Sequence, residues 1–143
     1  MMETTSALFH RMRRRESGEA VLQEAWTAPT CARMLREEIE RAGISAPEWI
    51  ASAYISKSYG YQVLRGERMP GRDILLRTAL VLQLSLQETQ RLLALGDCGA
   101  LYPKVRRDAA VIFALNHKMT LLEAEELLVS LPEASLFGQE KQT

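Results

Sequence analysis

Apolar residues recur three and four positions apart along most of this chain, which is the spacing of one helix face after another. Leu35, Ile39 and Ala42 share a face while Glu37, Glu38 and Glu40 point away, so a helix is predicted over Cys31–Ala42. Thr30 can cap it and Gly43 suits its end. Ser45-Ala46-Pro47-Glu48 has capping-box spacing, with Pro47 in the first turn, and opens a brief second helix to about Ala53. Tyr54-Ile55 then makes a tight turn into Ser56, the cap of a third helix closing at Gly66. Two short helices joined by about three residues, the second with an exposed polar face, predict a helix-turn-helix.

Beyond Pro70, Ile74, Leu75, Thr78, Ala79 and Leu82 give a fourth helix. Ser85-Leu86-Gln87-Glu88 is a second capping box, opening a fifth helix with Leu92, Leu93 and Leu95 that stops at Gly96. After a loop over 97–103, a sixth helix is predicted across Lys104–His117. Thr120-Leu121-Leu122-Glu123 is a third capping box and opens a seventh, ending before Pro132. Upstream, Leu8, Phe9 and Met12 form a short apolar stripe, and Val21, Leu22, Ala25 and Trp26 recur at helical spacing. Residues 1–29 are therefore read as a helical arm packed on the domain. The tail from 133 to 143 is expected to be flexible, with Leu136 and Phe137 able to dock.

An internal repeat runs through the second half. Arg72-Asp73 and Arg107-Asp108 each start a segment that passes through Ala79-Leu80 or Ala114-Leu115. The segments continue to the capping boxes and finish at Leu92-Leu93 or Leu127-Leu128, at a constant offset of 35 residues. Each copy predicts a helical hairpin, the second stacked on the first.

Composition narrows the function. A chain of 143 residues, 47% hydrophobic and 25% charged, is long enough for one core with an appendage. There is no apolar run of about 18 residues for a membrane span, and no apolar stretch follows Arg11, Arg13, Arg14 and Arg15 as a signal peptide requires. Those arginines read as a solvated helix face or as an extra phosphate contact. Cys31 and Cys98 lie far apart, as in a cytoplasmic chain with reduced thiols. Eighteen basic and eighteen acidic residues give zero net charge, so a nucleic-acid face requires segregated charge. Lys57, Arg65, Arg68, Arg72 and Arg77 face only Glu67 and Asp73 between Ser56 and Thr78, while Glu123, Glu125 and Glu126 share the last helix. His10 and His117 are isolated, and nucleotide-binding glycine patterns and the Gly-x-Ser-x-Gly nucleophile pattern are absent. No enzymatic activity, cofactor or metal is expected.

The third helix is the part least suited to burial on all sides, with Lys57, Ser58, Tyr59 and Gln62 among its side chains. The residues around it resemble the phage-repressor/Cro-like (XRE) helix-turn-helix family. The marks are Ile44-Ser45, Ile55-Ser56, Val63, Gly66-x-Arg68-x-Pro70 and Leu84-Ser85-Leu86-x-Glu88, spread over Cys31 to Leu95. The wider chain, with Tyr-Gly-Tyr-Gln, Pro-Gly-Arg-Asp, Glu-Thr-Gln-Arg-Leu-Leu and Leu-Tyr-Pro-Lys, is similar to a group of bacterial regulators of that class. Three positions depart from the pattern. Tyr54 occupies the turn where glycine is usual, Ala46-Pro47 replaces a DNA-touching glutamine, and Gly60 replaces a branched residue.

The resemblance implies an all-α fold: a five-helix Cro/repressor-like helix-turn-helix domain over 30–96, with the N-terminal arm and a C-terminal hairpin over 97–132. It implies a bacterial transcription regulator that binds double-stranded DNA as a homodimer on a two-fold symmetric site. Ser56 and the amides behind it would meet a phosphate. Lys57, Ser58, Tyr59 and Gln62 would face the groove, and Arg65 and Arg68 would hold the backbone. Tyr61 reads equally as buried support or as a DNA contact; Trp49, Ile55 and Val63 read as core. The alternative is a protein-interaction adaptor that keeps the fold without DNA binding, supported by Ala46-Pro47 and the zero net charge.

Overall fold

The computed structural model describes residues 30–138, and these fold into seven α-helices with no strand among them. They are α1 (Cys31–Ala42), α2 (Ala46–Ser52), α3 (Lys57–Leu64), α4 (Arg72–Val81), α5 (Leu86–Leu95), α6 (Arg106–Asn116) and α7 (Leu121–Ser130). The helices predicted over residues 1–29, with Arg11–Arg15, lie outside the described residues. The caps form as the sequence requires. Thr30 Oγ1 accepts from the Arg33 amide at 3.1 Å, and Ser45, Ser85 and Thr120 each close a full capping box. Two ends move inward from their predicted places. Arg65 caps α3 and Gly66 reverses the chain at φ 77°; a turn bond from the Val105 amide to Tyr102 O delays α6 to Arg106.

One turn is built three times. Tyr54, Gln83 and Lys118 all take the left-handed conformation, at φ 58°, 56° and 54°. Each is followed by an apolar residue whose amide reaches back to the helix just ended: Ile55 to Ile50 O, Leu84 to Ala79 O, Met119 to Ala114 O. Then comes the cap of the next helix (Ser56, Ser85 or Thr120), and four positions further a small buried residue (Gly60, Thr89 or Ala124). The α2–α3 pair is thus a further copy of the hairpin seen in α4–α5 and α6–α7. Its offset is shorter because α3 and the 65–71 connection are shorter than α5 and the 96–105 connection.

The second and third hairpins meet by exchange. Arg72 holds Asp108 through both guanidinium Nη atoms, and Arg107 holds Asp73 at 2.9 Å. Each arginine also caps the end of its own repeat, Arg72 on the Gly99 and Ala100 carbonyls and Arg107 on those of Ala134 and Ser135. Such reciprocity marks an approximate two-fold relation, in which residue i meets j′ and j meets i′.

The expectation of a flexible tail from 133 onward is corrected up to residue 138. Leu136 is fully buried, its amide donates to Glu125 Oε1 at 2.9 Å, and Phe137 stands edge-on to Tyr54 at 5.3 Å. The reason lies in the repeat. Leu101, 35 residues earlier, is buried in the same way against Gln90.

The core is continuous through all seven helices, with Leu35, Trp49, Val63, Leu75, Leu76, Leu80, Leu92 and Leu93 essentially inaccessible. Each such side chain contributes about 1.5–3 kcal/mol relative to exposure. Trp49 Nε1 donates to Thr78 Oγ1 at 3.0 Å, so the largest core residue leaves no polar atom stranded between α2 and α4.

Candidate nucleic-acid interface

Helix α3 is held from beneath, and Lys57, Ser58 and Arg65 are exposed above. Gly60, Val63 and Leu64 form its buried face. A Cβ at Gly60 would stand 2.5 Å from Ile50 Cγ1, so glycine is what lets α3 lie this close to α2. The tyrosine before it does not reshape the turn; Tyr54 accepts the left-handed backbone and places its ring on Phe137. Arg36, reaching across from α1, donates to Leu64 O and satisfies one of the carbonyls left open at the end of α3.

On the opposite side, Ser58, Gln62 and Arg65 follow one another at helical spacing and share the outward face. Ser58 and Arg65 are exposed and Gln62 is half-buried. Lys57 is exposed on one flank beside half-buried Tyr61, which packs against the core. Tyr59 lies on the other flank and also packs partly against the core, with the Arg68 guanidinium 5.4 Å from its ring centroid. Ser56 Oγ accepts from the Tyr59 amide at 3.2 Å, which caps the first turn of α3.

The positive field is smaller than the sequence count implied. Arg77 is fully buried and donates to Ala53 O and Leu136 O, and Arg72 is spent on Asp108. Neither belongs to an outward face. Arg65 pairs with Glu67 at 3.0 Å, and their mutual hydrogen bond raises the guanidinium's pKa and lowers the carboxylate's. Arg36, Arg65 and Arg68 line one cleft of about 360 Å³ beside the start of α1, with Thr30, Gly66 and Pro70 completing its wall. Arg36 was not singled out from the sequence. Its place on the polar side of α1 was legible, but its reach to α3 depends on the packing of two helices distant in sequence.

Helix α2 begins with its own polar groups engaged. Glu48 Oε1 accepts from the Ser45 amide at 3.1 Å, and the Ser45 hydroxyl caps Glu48 N. Its first turn therefore offers little to a ligand beyond Ala46 and Pro47.

No cluster of three metal-ligating side chains occurs among the described residues. His117 stacks on Phe113 at 3.9 Å and its Nδ1 meets Phe113 O. Burial pushes the Cys31 thiol up to about 11, with Cys98 adding to the shift, and burial also raises Cys98. Both thiols are thereby held in the unreactive protonated form. Among the described residues no helix is long and apolar enough to cross a membrane. No family model, curated protein or solved structure matches the chain.

Proposed function

We propose that this chain is a sequence-specific DNA-binding protein, a bacterial transcription regulator of the XRE helix-turn-helix type acting in the cytoplasm without catalytic chemistry. In this reading α1–α5 are the five-helix Cro/repressor-like unit and α6–α7 extend it. The observation that carries it is the contrast across α3: one face locked by Gly60, Val63 and Leu64, the other offering Ser58, Gln62 and Arg65 from a rigid support. Gln62 would take adenine through two hydrogen bonds and Lys57 would take guanine. Arg65, Arg68 and the start of α3 at Ser56 would hold phosphates, with Arg36 in reach of the same strand through the shared cleft. Tyr59, covered by Arg68, would act through the ring's edge. With Ala46-Pro47 at its start, α2 leaves readout to α3 alone, so a homodimer on a two-fold site is the expected working form.

Selection of genomic fragments on the purified full chain at two salt concentrations tests this. Specific enrichment that weakens steeply with salt is expected, since each phosphate contact releases about 0.9 of a counterion. No enrichment at low salt overturns it.

One observation favours the adaptor reading, in which the fold serves a protein partner. Of the five basic residues around α3, Arg77 is buried, Arg72 is engaged by Asp108 and Arg65 is paired with Glu67, leaving a modest positive surface. Absence of DNA enrichment together with a partner whose binding depends on Ser58 and Gln62 would establish it.

A further inference from the structure

We propose that the outer face of α7 is a docking seat for this chain's own basic segment, Leu8–Arg15. The argument starts from the approximate two-fold relation between the α4–α5 and α6–α7 hairpins, and is independent of DNA binding.

On the first of these hairpins the outer face of α5 is covered by α1. The two helices run antiparallel: Arg41, at the end of α1, pairs with Glu88 at the start of α5 at 3.0 Å, while Cys31 lies against Gly96 beyond its end. Leu92 between them is 1% exposed. The equivalent positions on α7 are Glu123, Leu127 and Leu131, and among the described residues nothing covers them. Glu123 is exposed, and Leu127 and Leu131 are only half-buried. Glu126 replaces Arg91. Neither Glu123 nor Glu126 has a cation within ion-pair distance among the described residues. The second hairpin thus keeps the apolar floor that receives a helix on the first, and has gained acid around it.

Charge selects the occupant. A second copy applying the same face would bring α7 again, which carries three glutamates and no cation, so Glu123 and Glu126 would stay unpaired. The seat requires an apolar stripe flanked by positive charge. Leu8-Phe9-His10-Arg11-Met12-Arg13-Arg14-Arg15 carries that pattern, and 14 residues separate it from Thr30, ample to cross a small domain.

Hydrogen exchange on the full chain tests the proposal, with R11E/R14E/R15E as the first variant. Its α7 amides should exchange at least tenfold faster, while those of α2 and α3 stay unchanged. Adding E126R to the reversed segment should restore protection; arginine is the residue at the equivalent position of α5, so the helix tolerates it. A monomeric mass by light scattering indicates docking within one chain and a dimeric mass docking exchanged between two chains, and both support the seat. Unchanged α7 exchange in the triple variant overturns the proposal. So does a loss that E126R fails to restore, or protection that rises with protein concentration regardless of the arginines, which would assign the face to a second copy.

Discussion

Arg72 lies 3.0 Å from Asp108, and the residue beside each of them forms the answering pair, Asp73 with Arg107 at 2.9 Å. The two bridges differ in burial. Asp108 is 5% exposed and also accepts from the Tyr102 amide at 3.1 Å, whereas Asp73 and Arg107 are partly open to solvent. Asp108→Ala strands a guanidinium and a backbone amide, and should cost about 2–3 kcal/mol, below the full cost of breaking a buried pair because Arg72 keeps some solvent. Asp73→Ala should cost about 1 kcal/mol or less. Urea unfolding of both variants checks the order, and equal losses would refute it.

Gly60→Ala sets two effects against each other. Alanine favours an isolated helix by about 1 kcal/mol. Here its methyl group meets Ile50 Cγ1 and Cδ1 at 2.5 and 2.7 Å, and overpacking of that kind costs about 1–3 kcal/mol. Net destabilisation is expected. Ile50→Ala in the same chain should recover most of the clash, so a double-mutant cycle by thermal unfolding should show strong coupling.

The left-handed turn residues should respond unequally to glycine. Asp97, at φ 56°, has no side-chain hydrogen bond among the described residues, so Asp97→Gly should stabilise by about 0.5–1 kcal/mol. Gln83 has the same backbone but its amide donates to Leu80 O and Met119 O, tying one hairpin to the next. Gln83→Gly loses those bonds, so the gain should vanish or reverse. Identical shifts in melting temperature would show that the Gln83 bonds contribute nothing.

Two glutamates around Arg41 should give opposite pH signatures. Burial raises the pKa of Glu38, although Arg41 at 3.1 Å opposes it. The hydrogen bond from the Ser85 amide, the largest favourable cause, and Arg41 lower that of Glu88. Glu38 therefore costs stability once pH rises above its folded pKa, and Glu88 contributes stability that is lost as pH falls through its depressed value. Glu38→Gln should stabilise at neutral pH, with the gain shrinking in acid. Glu88→Gln should destabilise at neutral pH, with the loss shrinking in acid. Chemical denaturation at several pH values reads both.

Most of the helices were legible because their ends carry local chemistry. Ser45, Ser85 and Thr120 announce capping boxes that act within four residues, and those boxes form. The 35-residue repeat was equally visible, yet its extension to Leu101 and Leu136 was not, since both leucines sit in loops without periodicity. The charge of the candidate site is hidden from the sequence for a related reason. Arg72 stands one turn after exposed Arg68, and Arg77 follows on the same helix as Arg72, but their environments come from Asp108, Ala53 and Leu136, which no local pattern links to them. Gly60 was the reverse case. A glycine inside a helix that otherwise needs none already implied a close neighbour, and Ile50 is that neighbour.

The arginine at 77 also orders events in time. It takes the Ala53 carbonyl at the end of α2 and the Leu136 carbonyl near the far end of the described chain, with Phe137 beneath its guanidinium at 5.1 Å. A ribosome releases α2 and α3 long before Leu136. During synthesis the turn of the pair that carries the outward face therefore stays unbraced until residues 136 and 137 have emerged. The α2–α3 pair is thus encoded by residues 46–64 but finished by residues made some seventy positions later.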